Sequence, residues 1–228
     1  MSTLLLRFAA PLQSWGIDSK FETRRTGREP SKSGIIGLLA AALGLPRDGD
    51  LSRLCALRTG VRADREGVIL RDYHTARNAE TSYVTERCYL CDAVFLVGIE
   101  GDEGLLHELE TALRHPAYPL FLGRRACPPV MPLVLGLRET GLEYALRSEP
   151  YLADENPRLR TGCARIVMDS EGQGGGTVLQ NDLPLSFDQR MRRYGFRAVK
   201  AFSIARTDGE TAEHDPMREL EEERDVSD

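Results

Sequence analysis

The segment Ile35-Ile-Gly-Leu-Leu-Ala-Ala-Ala-Leu43 constrains this chain more than any other. Ser31-Lys-Ser-Gly34 introduces it, and Gly44 and Pro46 supply stop signals, so the pattern predicts a helix. That helix is apolar nearly all round. It must therefore lie buried between layers rather than half exposed on a surface. It is too short to cross a bilayer, and no run nears the roughly 18 apolar residues that a span requires. Nor does Met1 open a basic leader with a small-residue cleavage site. The expectation is a cytoplasmic protein without membrane contact.

The other elements are arranged around that helix. Leu4–Ala9 reads as a strand, and Gln13–Pro30 as a long polar surface loop. Leu57–Ala63 and Val68–Tyr73 read as strands, Thr75–Arg87 as polar and turn-rich, and Tyr89–Ile99 as the strongest strand of the chain. Asp102–His115 is an amphipathic helix with Leu105, Leu106, Leu109 and Leu113 on one face, and Val130–Leu137 is another strand. Strand–helix–strand–strand–helix–strand is the ferredoxin-like, or RRM-like, order. The predicted class is α+β: residues 1–140 form that domain, with a β-hairpin projecting at about 73–89. Residues 141–206 hold short segments with Gly and Pro (Tyr144–Tyr151, Ala164–Asp169, Val178–Leu183, Val199–Ala205) and are expected to make a small β-rich domain. Gly172–Gly176 reads as a flexible turn, with no lysine or helix after it to make a phosphate loop.

Charge is unevenly spread. Residues 207–228 carry ten acidic side chains against Arg218 and Arg224, a charge of −8, which leaves +3 on residues 1–206 out of a total of −5. The tail is expected to be disordered or a lone solvated helix, and the body is mildly basic. Five cysteines without a secretory leader point to reduced thiols. Cys88-Tyr-Leu-Cys91 has zinc or redox spacing. It lacks a second pair and sits before a strand, which favours structural cysteines and no metal or cofactor.

Four features could carry chemistry. The loop from Lys20 to Gly34 gathers Arg24, Arg25, Arg28 and Lys32 at a helix start, where free N–H groups, Ser31, Ser33 and Gly34 suit an anion. The same residues also suit a solvated loop with an N-cap serine. Gly123-Arg-Arg-Ala-Cys127 offers Arg124 and Arg125 to phosphates or to protein carboxylates. Arg190-Met-Arg-Arg-Tyr-Gly-Phe-Arg197, followed by Lys200, interleaves basic and aromatic residues, the equipment for single-stranded RNA or for an arginine-covered apolar rim. Finally Arg71-Asp-Tyr-His-Thr75, with Glu80 and Glu86 nearby, could serve a nuclease with His74 as general base and Tyr73 or a lysine as its partner, while Tyr73, His74 and Arg87 also count as candidate RNA contacts. Between Asp72 and Cys91 there is no lysine and a single histidine, and no G-x-S-x-G or H-E-x-x-H occurs, so the reading is not an enzyme.

Leu6-Arg-Phe-Ala-Ala-Pro-Leu-Gln-Ser-Trp-Gly16 and Arg28-Glu-Pro-Ser-Lys-Ser-Gly-Ile-Ile-Gly-Leu-Leu-Ala-Ala-Ala-Leu-Gly44 are two parts of one pattern. Leu70–Thr75, Tyr89–Ala93 and Tyr118-Pro-Leu-Phe-Leu-Gly-Arg-Arg-Ala-Cys-Pro128 complete it. Together they resemble the CasD-type subunits of type I-E CRISPR Cascade complexes, within the RAMP superfamily. The resemblance covers about the first 140 residues. It implies a non-catalytic subunit of an antiviral ribonucleoprotein that holds the 5′ handle of the guide RNA (crRNA) and caps a filament of CasC backbone subunits. The projecting hairpin would be a thumb folding over the guide, the large subunit CasA would dock nearby, and target DNA would be met only indirectly, through the complex. By position, Gln13, Ser14, Trp15, Lys32, Ser33 and Gly34 would contact the handle, with Arg24, Arg25, Arg28, Arg124 and Arg125 as phosphate ligands. The alternative is a metal-independent endoribonuclease that processes CRISPR repeat RNA on the same fold. The acidic tail is outside the family pattern.

Overall fold

The computed structural model describes residues 1–16, 23–78, 81–153, 163–170, 172 and 176–205. Lys20, Glu80, most of the Gly172–Gly176 turn and the acidic tail 207–228 lie outside the described residues. The class is α+β. In chain order the elements are β1 (Ser2–Ala9), β2 (Leu12–Gln13), β3 (Thr23–Arg24), α1 (Lys32–Ala42), α2 (Ser52–Cys55), β4 (Arg58–Arg65), β5 (Val68–Arg77) and β6 (Ser82–Cys91). Then follow β7 (Val94–Gly101), α3 (Glu103–Arg114), β8 (Val134–Arg138), α4 (Leu142–Ser148), β9 (Cys163–Asp169), β10 (Thr177–Ser186) and β11 (Arg193–Ala205). No described helix is long and apolar enough to cross a membrane.

A seven-stranded sheet runs β10-β11-β9-β4-β7-β1-β8. Side chains alternate across its plane, so Leu4, Leu6 and Phe8 meet α1 and α3 on one face while Leu5 meets α4 on the other. Both faces of β1 are covered, which is why Leu4-Leu-Leu6 is an unbroken apolar run instead of an alternation. On the α3 side Leu105, Leu106, Leu109 and Leu113 are all buried, each contributing about 1.5–3 kcal/mol. On the α4 side the paired Gly60 and Gly98 let the helix settle onto the sheet. A Cβ at either would lie 2.7 or 2.6 Å from Leu146 or Leu142. Arg62 fastens the far end of α4. Fully buried, its guanidinium donates to the carbonyls of Leu146, Glu149 and Pro150 and to the Asp64 carboxylate at 2.6 Å.

Several elements differ from the sequence expectation. Tyr89–Ile99 is not one strand: Asp92, in the left-handed region at φ 55°, breaks it into β6 and β7, which belong to different sheets. Asp is among the few residues that adopt that conformation cheaply. The hairpin spans Val68–Cys91, beyond the expected 73–89, because the polar stretch after Thr75 is mostly paired strand. Tyr144–Tyr151 contributes a helix, α4, and the prolines at 128, 129 and 132 delay the strand expected from Val130 until Val134. The segment expected as a separate β-rich unit instead supplies β9–β11, which extend the main sheet through β9 against β4.

An internal ion network joins α1 to those added strands. Ser31 caps α1, its hydroxyl accepting from Gly34 N–H, while the Lys32 N–H donates to Asp182 at 2.7 Å. The Lys32 ammonium reaches Asp169 and the Leu57 carbonyl, both at 2.8 Å. Arg197 bridges Asp169 and Asp182, 2.6 Å from each. A lysine in the first turn opposes the helix dipole, and here two carboxylates offset that cost.

Burial raises the Asp169 pKa, but the charges and hydrogen bonds of Lys32 and Arg197 outweigh it and hold the carboxyl below the usual aspartate range. Because the folded pKa is lowered, this stabilisation is present above about pH 4 and is lost as pH falls through the folded value. Asp169→Asn is expected to cost about 3–5 kcal/mol in chemical denaturation at neutral pH. The gap between variant and parent should close on acidification. A gap that stayed constant with pH would mean that the carboxylate charge contributes nothing.

Candidate nucleic-acid interface

The second, four-stranded sheet is built around β6. β5 pairs with it along its whole length, β2 pairs at Leu90–Cys91, and β3 lies parallel to it at Glu86 and Arg87. Residues opposite one another share a face, so Asp72 and Arg87 lie together, as do His74 and Thr85. Tyr73, opposite Glu86, is on the other face. His74 and Asp72, two apart on β5, bond to each other through Nε2 and a carboxylate oxygen. Cys88 and Cys91, three apart on a strand, point to opposite faces and make no joint ligand pair. Among the described residues no cluster of His, Cys, Asp and Glu could hold a metal.

On the Arg87 face three guanidinium groups gather. Arg24 of β3 stands in register with Arg87. Arg124, from the loop after α3, stacks its guanidinium 4.7 Å above the Tyr89 ring and donates to the Arg24 carbonyl at 3.3 Å. That loop is pinned by Gly123, whose φ of +89° and position against the Ser14 carbonyl exclude any side chain. Arg87 Nε and Arg124 Nη1 are buried without a hydrogen-bond partner, and no described carboxylate pairs with Arg24, Arg87 or Arg124. Arginine does not give up its proton, so three like charges held together call for an anion. Arg25, Arg28 and Arg125 are exposed nearby along the same loops, adding to the positive surface.

Other expected contact residues face inward. Trp15 is 1% exposed and stacks on Phe8 with centroids 5.7 Å apart, so it is core and not a platform for bases. Gly34 admits the Trp15 indole where a phosphate was expected: a Cβ there would lie 2.8 Å from the ring. Gln13 is fully buried and donates to the Ala93 carbonyl at 2.8 Å, and its side-chain oxygen accepts from the Trp15 indole N–H. Ser14 is buried as well, its hydroxyl donating to the Cys88 carbonyl. Lys32 and Arg197 are committed to Asp169 and Asp182, and the α1 N-terminus already holds the Asp182 carboxylate. A phosphate would have to displace a protein carboxylate there. Ser33 is half-buried, its hydroxyl 3.2 Å from that of Ser31. The role of Arg87 as the partner of Arg24 and Arg124 is not visible in the sequence, because it depends on a parallel pairing between segments more than sixty positions apart.

Gly34→Ala is expected to lower stability by about 1–3 kcal/mol, as overpacking against the indole. A thermal melt reads the effect, and an unchanged Tm would mean that Trp15 is free to move.

A family model described as CRISPR-associated protein (Cas_Cas5) matches residues 3–200. The CRISPR system Cascade subunit CasD of Escherichia coli (strain K12) is 42% identical over 159 residues, covering 59% of this chain and 70% of that one. A crystal structure of a Cas protein superposes with a TM-score of 0.72 at 40% identity, over 89% of this chain and 95% of its own. A chain of a CRISPR RNA-guided surveillance complex gives 0.73 at 32% identity, over 96% and 98%. The protein belongs to the Cas5 family of CRISPR-associated proteins.

Proposed function

We infer that this chain is a non-catalytic crRNA-binding subunit of a CRISPR surveillance complex. It grips the 5′ handle of the guide through the face that carries Arg24, Arg87 and Arg124. The observation that carries the reading is the unneutralised arginine trio, with two N–H groups buried and unpartnered, in a Cas5-family chain. A sugar–phosphate backbone supplies several acceptors at fixed spacing, which suits three forked donors on one sheet. Arg25, Arg28 and Arg125 extend the track at its rim.

The finer architecture follows the same reading. The run β4-β7-β1-β8, with α1 and α3 on one face, is taken as the ferredoxin-like, or RRM-like, unit of residues 1–140. The β5–β6 hairpin is its thumb, and 141–206 is a β-rich extension. Tyr73 and Tyr83, both more than half exposed on that hairpin, suit contact with the guide or with a CasC backbone subunit. CasA would dock beside the handle, target DNA would be met through the assembled complex, and the setting would be the cytoplasm. The start of α1, whose N–H already holds Asp182, leaves the phosphates to the arginine trio. Lys32 and Arg197 then act as the frame on which the loop is mounted.

The test is binding of guide RNA to the triple variant Arg24→Gln/Arg87→Gln/Arg124→Gln. Loss of three phosphate contacts should lower the slope of log affinity against log salt by about 2 and weaken binding at least tenfold. Tm should stay level or rise, since no carboxylate is orphaned. Unchanged affinity and slope would refute the site. Site-specific cleavage of repeat RNA in EDTA, abolished by His74→Ala, would refute the non-catalytic reading.

A further inference from the structure

The tip of the β10–β11 hairpin is unlike the rest of the added strands. From Arg190 to Phe196 every residue except Gly195 is exposed, although Met191, Tyr194 and Phe196 are large and apolar, with Met191 and Phe196 64% and 66% exposed. β11 alternates regularly here, because the register shifts are taken up by β10. Tyr194 and Phe196 therefore share one face, and Arg197 points to the other, into the ion network.

Arg53, Arg58, Arg62, Arg138, Arg147 and Arg165 each pair with a carboxylate. Arg190, Arg192 and Arg193 have no carboxylate partner among the described residues. The nearest acid in the sequence, Asp188, is engaged by the backbone: its Oδ1 accepts from the N–H groups of Arg190 and Met191, which sets the turn. The turn end of the hairpin is anchored by the Cys55 thiol on the Pro184 carbonyl, and Phe187 lies against Gly37 of α1. The tip is thus a fixed basic and aromatic surface.

The tip and the arginine trio are carried by different sheets: β11 belongs to the seven-stranded sheet, and β3 and β6, which carry Arg24 and Arg87, belong to the four-stranded one.

We propose that this hairpin tip is a second binding surface for single-stranded nucleic acid, with Arg190, Arg192 and Arg193 on phosphates and Tyr194 and Phe196 against unstacked bases. The proposal rests on the reading of the chain as a guide-holding subunit. Arginine, methionine and aromatic side chains also suit a protein interface, so loss of assembly alone is an outcome that the test separates. Arginine with exposed aromatic rings is the combination that tracks a single strand without needing its sequence. The strand is a second one beside the bound guide, RNA or DNA, since both offer phosphates and π-faces.

The test uses the full chain already bound to its guide RNA. Labelled oligouridine in one arm and oligothymidine of the same length in the other are titrated by fluorescence anisotropy. The parent binds a second strand, and the tighter arm identifies its source. Arg190→Gln/Arg192→Gln/Arg193→Gln should weaken that binding at least tenfold and lower the salt slope by about 2. Phe196→Ala should weaken it about tenfold with the slope unchanged. Both variants should keep the guide. Absence of second-strand binding in the parent, or unchanged affinity in both variants, overturns the proposal. So does a tip variant that releases the guide, or one that loses only assembly with other subunits. The arginine-trio variant separates the two readings: releasing the guide while leaving second-strand binding intact in reconstituted complexes supports both, and retaining the guide removes only the first.

Discussion

A buried ion network holds the first helix, α1, against the strands β9, β10 and β11. Lys32 at the start of α1, Asp169 on β9, Asp182 on β10 and Arg197 on β11 form a closed set of two cations and two carboxylates, all largely removed from solvent. Hydrophobic packing alone would let α1 slide along the sheet. Directional bonds to three strands give it one position. The cost of burying four charges is offset because each charge has opposite neighbours and hydrogen bonds, including the Leu57 carbonyl and the Lys32 and Thr59 N–H groups.

That network also decides which arginines and lysines remain available. Charges inside it are spent on the fold, as is Arg62 beneath α4. Among the described arginines without a carboxylate partner are Arg24, Arg87 and Arg124 on the β3–β6 face and Arg190, Arg192 and Arg193 at the β10–β11 tip. A formal net charge of −5 for the whole chain conceals both, because the acidic residues of the body are largely matched one by one to cations and the excess lies in the tail.

The legibility of the sequence followed the range of the interactions. The α1 run, the leucine face of α3 and the three C-terminal strands could be read because their signals are local periodicities. The break at Asp92, the helix α4 and the merging of β9–β11 into the main sheet could not, since each answers to a partner far along the chain. Among the site residues, Arg24 and Arg124 were identified as cations, but their meeting with Arg87 over Tyr89 is a product of strand pairing. Gln13, Ser14 and Trp15 were expected as handle contacts only by their position in the family resemblance. Here they face inward.

Alone, the sequence determined that a fully apolar helix must lie between layers, that the body is mildly basic beside a strongly acidic tail, and that no familiar catalytic spacing is present. Those properties depend on side-chain type and near-neighbour spacing, which a chain carries before it folds. Only the tertiary structure decided which cations meet carboxylates and which do not. Lys32 and Arg24 are the same charge on the same loop-to-helix segment, yet one is 5% exposed against Asp169 and the other lies open beside Arg87. The difference is set by residues more than sixty and more than one hundred positions away, and Coulomb's law acts on distance in space, whatever the separation in sequence.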